Sequence, residues 1–142
     1  MAITTVIQTS FKQELYEALH DFNAAGGNAF KIALYTNAAT IDATTTAYSA
    51  TNEISGTGYV AGGNTLTNID PSSGSGKGFI DFADTTWSTA TITARGCLIY
   101  NSTNANRAVQ SHDFGSDQSS SAADFTIQFP VADAATAIQR LA

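Results

Sequence analysis

A chain of 142 residues with 43% hydrophobic residues is long enough for one domain with a sizeable core. Its six strong bases, Lys12, Lys31, Lys77, Arg95, Arg107 and Arg140, are scattered and the net charge is −6, which excludes the basic cluster that nucleic acid demands. No apolar run approaches the roughly 20 residues of a membrane span, and a lone Cys97 excludes an intrachain disulfide and a cysteine–histidine metal set.

Only 13% of residues are charged, against about 25% in typical soluble domains. Charge this sparse points to surface covered in an assembly, because an isolated domain keeps more charge on its surface. The opening MAITTVIQTSFKQ has no basic region followed by an apolar core, so a protein made and used without export is expected.

Residues 1–9 read as a short strand or an arm. Ser10 and Gln13 fit a capping box, in which hydroxyl and amide satisfy orphaned N–H groups at a helix start. Phe11, Leu15, Ala18, Leu19 and Phe22 then follow as one apolar stripe. Gly26-Gly27 supplies a glycine stop, so one amphipathic helix is expected over about 10–23. Its stripe has two possible seats, the protein's own sheet or a neighbouring subunit, and the former is the commoner layer arrangement.

Phe30 to Thr36 alternates Phe30, Ile32 and Leu34 against Lys31, Ala33 and Tyr35, the signature of a strand. Residues 37–52, rich in Ala and Thr, read as a long loop with one helical turn near Tyr48; loops of this length are usually functional or docked. Glycines at 56, 58, 62 and 63 punctuate short strands at 59–61 and 64–69. Residues 70–76 read as a flexible turn and 78–83 as a strand. From Thr91 to Tyr100 the chain alternates again, with Ile92, Ala94, Gly96, Leu98 and Tyr100 on one face and Thr91, Thr93, Arg95, Cys97 and Ile99 on the other.

The Asn/Ser cluster 101–106 turns the chain, and residues 107–114 return as a partner strand with a bulge or an edge position. This hairpin belongs in the middle of a sheet. Residues 115–123 read as a polar loop, and 124–129 as a strand with Phe125, Ile127 and Phe129 inward, ended by Pro130. A last short strand lies within 137–142. The expected fold is mainly β, an antiparallel β-sandwich or jelly roll with one N-terminal amphipathic helix, in a single domain over residues 1–142.

The residues offer little chemistry. Gly76-Lys77 is the middle of a phosphate loop, but Gly78 follows where Ser or Thr belongs, and Pro71 replaces the first glycine. Asp113-Phe114-Gly115 matches the kinase magnesium tripeptide without the rest of the kinase set. His112 beside Asp113 lacks a nucleophile elbow, and neighbours on a strand face opposite ways. His20 sits near a helix C-terminus, where the dipole favours it. Asp113, Asp117 and Asp124 are the one set that a loop at 115–123 would bring toward a cation. Trp87 with Tyr35, Tyr48, Tyr59 and Tyr100 is either a sugar platform or, more often for such residues, packing. No catalytic residue, metal ligand or cofactor follows, and Cys97 reads as a small buried hydrophobe.

The segments Phe30–Ile69, Asp81–Asn101 and Asp124–Ala142 together resemble a family of small virion structural proteins of tailed bacteriophages. The resemblance implies a virion location, most naturally the capsid exterior, and a decoration or cement role bridging capsomers as a dimer or trimer. Partners would then be the major capsid protein or other virion proteins, with neither nucleic acid nor membrane involved. A tail, baseplate or fibre-adaptor component is the alternative, and a carbohydrate-binding module a more distant one. As contact residues, the exposed-loop candidates are Tyr48 and Asn52 in the 37–52 loop and Asn101, Asn104 and Asn106 in the turn, beside the N-terminal arm.

Overall fold

In the computed structural model, which describes residues 2–142, the alternating segments of the sequence become strands of two antiparallel sheets. In chain order the elements are β1 (Val6–Ile7), α1 (Thr9–Tyr16), β2 (Phe30–Tyr35), β3 (Asn64–Thr65), β4 (Asn68–Gly74), β5 (Lys77–Phe82), β6 (Thr85–Asn101), β7 (Arg107–Ile127) and β8 (Gln139–Leu141). A five-stranded sheet runs β1-β7-β6-β2-β3, and a three-stranded sheet runs β4-β5-β8. β6 is therefore the middle of its sheet, as its alternation requires.

The larger sheet is covered on both faces. One face carries Phe30, Ile32, Leu34, Cys97, Ile99 and Val109 into a core shared with Phe11, Phe22 and Phe82. Phe22 lies flat on Phe30, with ring centroids 4.3 Å apart. The other face carries Ala33, Tyr35, Leu98 and Tyr100, covered by Ile3, Ala39 and Ile41 from the arm and the 37–52 loop. Burial of both faces explains why FKIALY is apolar almost throughout yet still alternates.

β6 does not keep one face inward along its length. Ile92 and Ala94 enter the same core as Cys97 and Ile99, so the parity assigned from simple alternation fails at Arg95. Ala94 pairs with Gln118 and Gly96 with Asp113, which leaves residues 114–117 of β7 opposite Arg95 alone. That bulge rotates the strand and exchanges its faces. The signal lies in the partner strand, and no periodicity within β6 reports it.

The helix is shorter than expected. It spans Thr9–Tyr16 with Gln8 as N-cap and no side-chain cap, so the capping box does not form. The Oγ of Ser10 has no partner among the described residues. Ala18, at φ 56°, ends the helix. Its N–H bonds the Leu15 carbonyl at 3.2 Å and the Leu19 N–H bonds the Glu14 carbonyl at 3.1 Å. This pair of bonds is the motif usually built on glycine; alanine adopts it here, so the later Gly26-Gly27 was the wrong stop signal. Phe11 and Phe22 nonetheless enter the chain's own core, although a single helix does not carry both. No helix is long and apolar enough to cross a membrane.

Four further expectations are corrected. Residues 70–76 are largely β4, closed onto β5 by Ser75 and Gly76 at φ 50° and 75°, the two left-handed residues a tight hairpin uses. No strand forms at 59–61 and no helical turn near Tyr48. Residues 115–123 continue β7, held to β6 partly by a 2.8 Å hydroxyl pair between Thr93 and Ser119.

Candidate contact surface

The arm, the 37–52 loop and the 101–106 turn, far apart in sequence, meet at one end of the large sheet. The Thr4 N–H bonds the Ile41 carbonyl at 2.8 Å, Thr9 bonds Ala43 at 2.9 Å, Tyr48 bonds Asn106 at 2.9 Å and Ala108 bonds Thr46 at 3.0 Å. Their side chains add further ties. The Gln8 amide donates to Ser111 Oγ at 2.8 Å, and the Tyr48 ring lies on Tyr100 with centroids 4.7 Å apart. A long loop without secondary structure is thus fixed by backbone bonds on both sides.

Asn101 holds the turn from within. It is fully buried. Its Oδ1 accepts the N–H groups of Thr103 and Asn104, each at 3.1 Å, while its Nδ2 donates to Asn28 Oδ1 at 2.8 Å. Asn104 donates to the Leu19 carbonyl at 2.8 Å. Asn101 and Asn104 are therefore fold residues and not free contact residues, and Tyr48, half-buried with its hydroxyl 2.6 Å from Glu53 Oε2, belongs with them. Asn52 and Asn106 are exposed, both in the left-handed conformation that asparagine tolerates. Substituting Tyr48 or Asn104 is consequently expected to disturb the isolated fold, contrary to the reading of both as exposed loop positions.

A cleft of about 370 Å3 lies where these pieces meet α1, walled by Ser10, Gln13, Glu17, Thr46, Ala105 and Arg107 over Glu14. The buried Glu14 carboxylate accepts from Arg107 Nη1 at 3.2 Å and from His20 Nε2 at 2.6 Å. His20 accepts at Nδ1 from Asn101, so both ring nitrogens are engaged and neither is available as a base for Ser10. The helix dipole does not account for His20, because α1 ends at Tyr16. Burial among Phe11, Phe22 and Phe30 does, and it holds this histidine below 6.5 despite the Glu14 carboxylate.

Tyr16, on the same helix, is 95% exposed. A fully exposed tyrosine is the type of side chain that anchors protein contacts. Its position off the apolar stripe, among Lys12, Glu14 and Glu17, was the available sequence signal.

The other candidates resolve into structure. Glu53 Oε1 accepts Tyr59 Oη at 2.6 Å and the Gly62 N–H at 2.7 Å, while Tyr35 donates to the Ser49 carbonyl at 2.8 Å and Tyr100 to the Gly62 carbonyl at 2.8 Å. Burial keeps these phenols neutral, that of Tyr100 being pushed up to about 12. Trp87 is buried, so no open aromatic sugar platform exists on these residues. Asp113 pairs with Arg95 at 2.8 Å, and among the described residues no three His, Cys, Asp or Glu side chains gather to hold a metal. The Cys97 thiol, fully enclosed, is pushed up to about 12.

His112 is also held below 6.5 by burial. Both histidines therefore bind protons more weakly when folded. Stability is full above the unfolded value of about 6.5 and falls as the pH drops toward the folded values. Urea midpoints are expected to decline between about pH 7 and pH 5, and His112→Phe is expected to flatten that decline; an unchanged slope would assign it elsewhere.

No family model, curated protein or solved structure matches this chain.

Proposed function

We propose that this protein is a bacteriophage virion structural protein, a capsid decoration protein that bridges neighbouring shell subunits and stabilises the assembled head. One observation carries the reading: the arm, the 37–52 loop and the 101–106 turn are interlocked by main-chain bonds into a preformed surface at one end. Loops fixed beforehand surrender little entropy on docking. The resemblance of the sequence to small virion proteins supports the same reading.

The free subunit is already well packed. Its accessible surface is 6960 Å2, close to the roughly 7,000 Å2 that size scaling gives for a monomer of this mass. Contacts would be mostly polar and individually modest, and many copies on one shell turn modest contacts into avidity. The shell gains stability because the protein binds the assembled state and not the free subunits.

Particles stripped of the protein are expected to release their genome at lower temperature, and adding it back should restore resistance. Tyr16→Ala and Asn106→Asp are each expected to weaken particle binding roughly tenfold, with the urea midpoint of the isolated protein unchanged. Equal heat resistance with and without the protein, or its recovery with isolated tails, would overturn the head-shell assignment.

A further inference from the structure

β1 pairs with β7 only at Gln110 and Ser111, so beyond them β7 is the outer edge of the large sheet. Between Ser116 and Gln128 its outward N–H and C=O groups have no backbone partner other than β6 among the described residues. The other edges are better guarded: β3 has two residues and β8 three, while β4 carries Pro71 and a register shift at the same place. The far side of β6 before Gly96, which β2 does not reach, is crossed by the 56–58 loop, where the Thr91 N–H bonds the Thr57 carbonyl at 2.9 Å. Such devices are how proteins prevent strand addition.

Shifts of register divide the open edge of β7 into short regular pieces, Gln118–Ser120 and Phe125–Ile127. Alongside them lies a recess of about 410 Å3, lined by Phe114, Gln118, Ser119, Asp124, Phe125 and Ile127. Its apolar part is Phe114, Phe125 and Ile127, and its one charged wall is Asp124. The Asp124 carboxylate is oriented by the Thr89 N–H, 3.0 Å from Oδ1.

We propose that this edge receives a short extended segment of another protein, with a lysine or arginine side chain of that segment seated in the recess. The stem of such a side chain covers the phenylalanine rings while its cation meets Asp124, and the segment's backbone bonds the open edge. The charge pattern selects the occupant. The same edge of a second copy would bring two aspartates and no lysine or arginine over residues 116–128, so pairing two copies would add like charge and leave Asp124 without a cation. No lysine or arginine lines the recess, and Arg95 on the adjoining β6 is already paired with Asp113, so the complementary charge comes from the partner.

The probe is an acetylated peptide of about six alternating threonines and valines with one central lysine, compared with otherwise identical peptides carrying norleucine or glutamate. On the full chain, the lysine peptide is expected to shift and protect the amides of Phe114 and of residues 118–127. It should bind roughly fivefold tighter than the norleucine peptide, with the glutamate peptide weaker still. Asp124→Asn, which keeps the acceptor for Thr89, is expected to remove that lysine preference while leaving the peptide-free spectrum native. Equal binding of lysine and glutamate peptides, changes outside this edge, or no saturable binding would overturn the proposal. Protection of the same amides by raised protein concentration alone would also overturn it, since the occupant would then be a second copy.

Discussion

Replacing Glu53 with alanine is expected to lower the unfolding free energy by about 3 kcal/mol. Three donors converge on this carboxylate: Tyr48 Oη at 2.6 Å, Tyr59 Oη at 2.6 Å and the Gly62 N–H at 2.7 Å. Each would lose a charged acceptor, and Tyr59, whose hydroxyl also accepts the Leu34 N–H at 2.9 Å, would loosen its hold on β2. Glu53→Gln retains a carbonyl acceptor and should cost only about 1 kcal/mol. Urea titration separates the two, with a lower midpoint and an unchanged slope for the alanine variant. A loss below about 1 kcal/mol for Glu53→Ala would mean that the tyrosine cluster is held by packing alone.

Gly63→Ala is expected to be at least as damaging, about 3 kcal/mol or more. Gly63 has φ 75°, and a Cβ added there would stand 1.8 Å from the backbone oxygen of Ile32 and 2.9 Å from the Cα of Ala33. Neither atom can move without displacing β2 from the centre of the fold. Gly76 makes a control with the same φ of 75° and nothing within 4 Å of an added Cβ. Gly76→Ala should therefore show the backbone penalty alone, about 1 kcal/mol. Equal losses at the two positions would show that left-handed strain, and not collision, dominates at Gly63.

Much of the sheet was legible in the sequence. Period-two patterns located β2 and the later part of β6, strands at 78–83 and within 137–142 were expected where β5 and β8 lie, and the inward set Phe125, Ile127 and Phe129 packs on the core as its alternation implied. What failed depended on partners distant in the chain. The Ser/Ala stretch 115–123 resembles a loop because it lies on an exposed edge, where little burial selects apolar residues, yet pairing with β6 makes it strand. The helix stop was hidden because Ala18 adopts a conformation expected of glycine.

The burial of the candidate contact residues was the least legible. Asn52, Asn101, Asn104 and Asn106 look alike in sequence, because one amide can either satisfy buried backbone or stand in solvent. Asn101 does the first, and Asn106 projects from the turn. Tyr48 lay in a stretch correctly recognised as a long loop. Nothing local indicated that Glu53 and Tyr100 would fasten it.

The arm's attachment has a kinetic corollary. Ser111 Oγ bonds the Thr4 carbonyl across 107 residues of chain, and Gln8 reaches the same hydroxyl across 103. A nascent polypeptide emerging from the ribosome holds its first strand long before the template for it exists. Closing so wide a loop is an entropic toll charged before any contact repays it. Refolding should accordingly proceed in milliseconds to seconds, with the β6–β7 ribbon assembling early and the leading residues zipping on last.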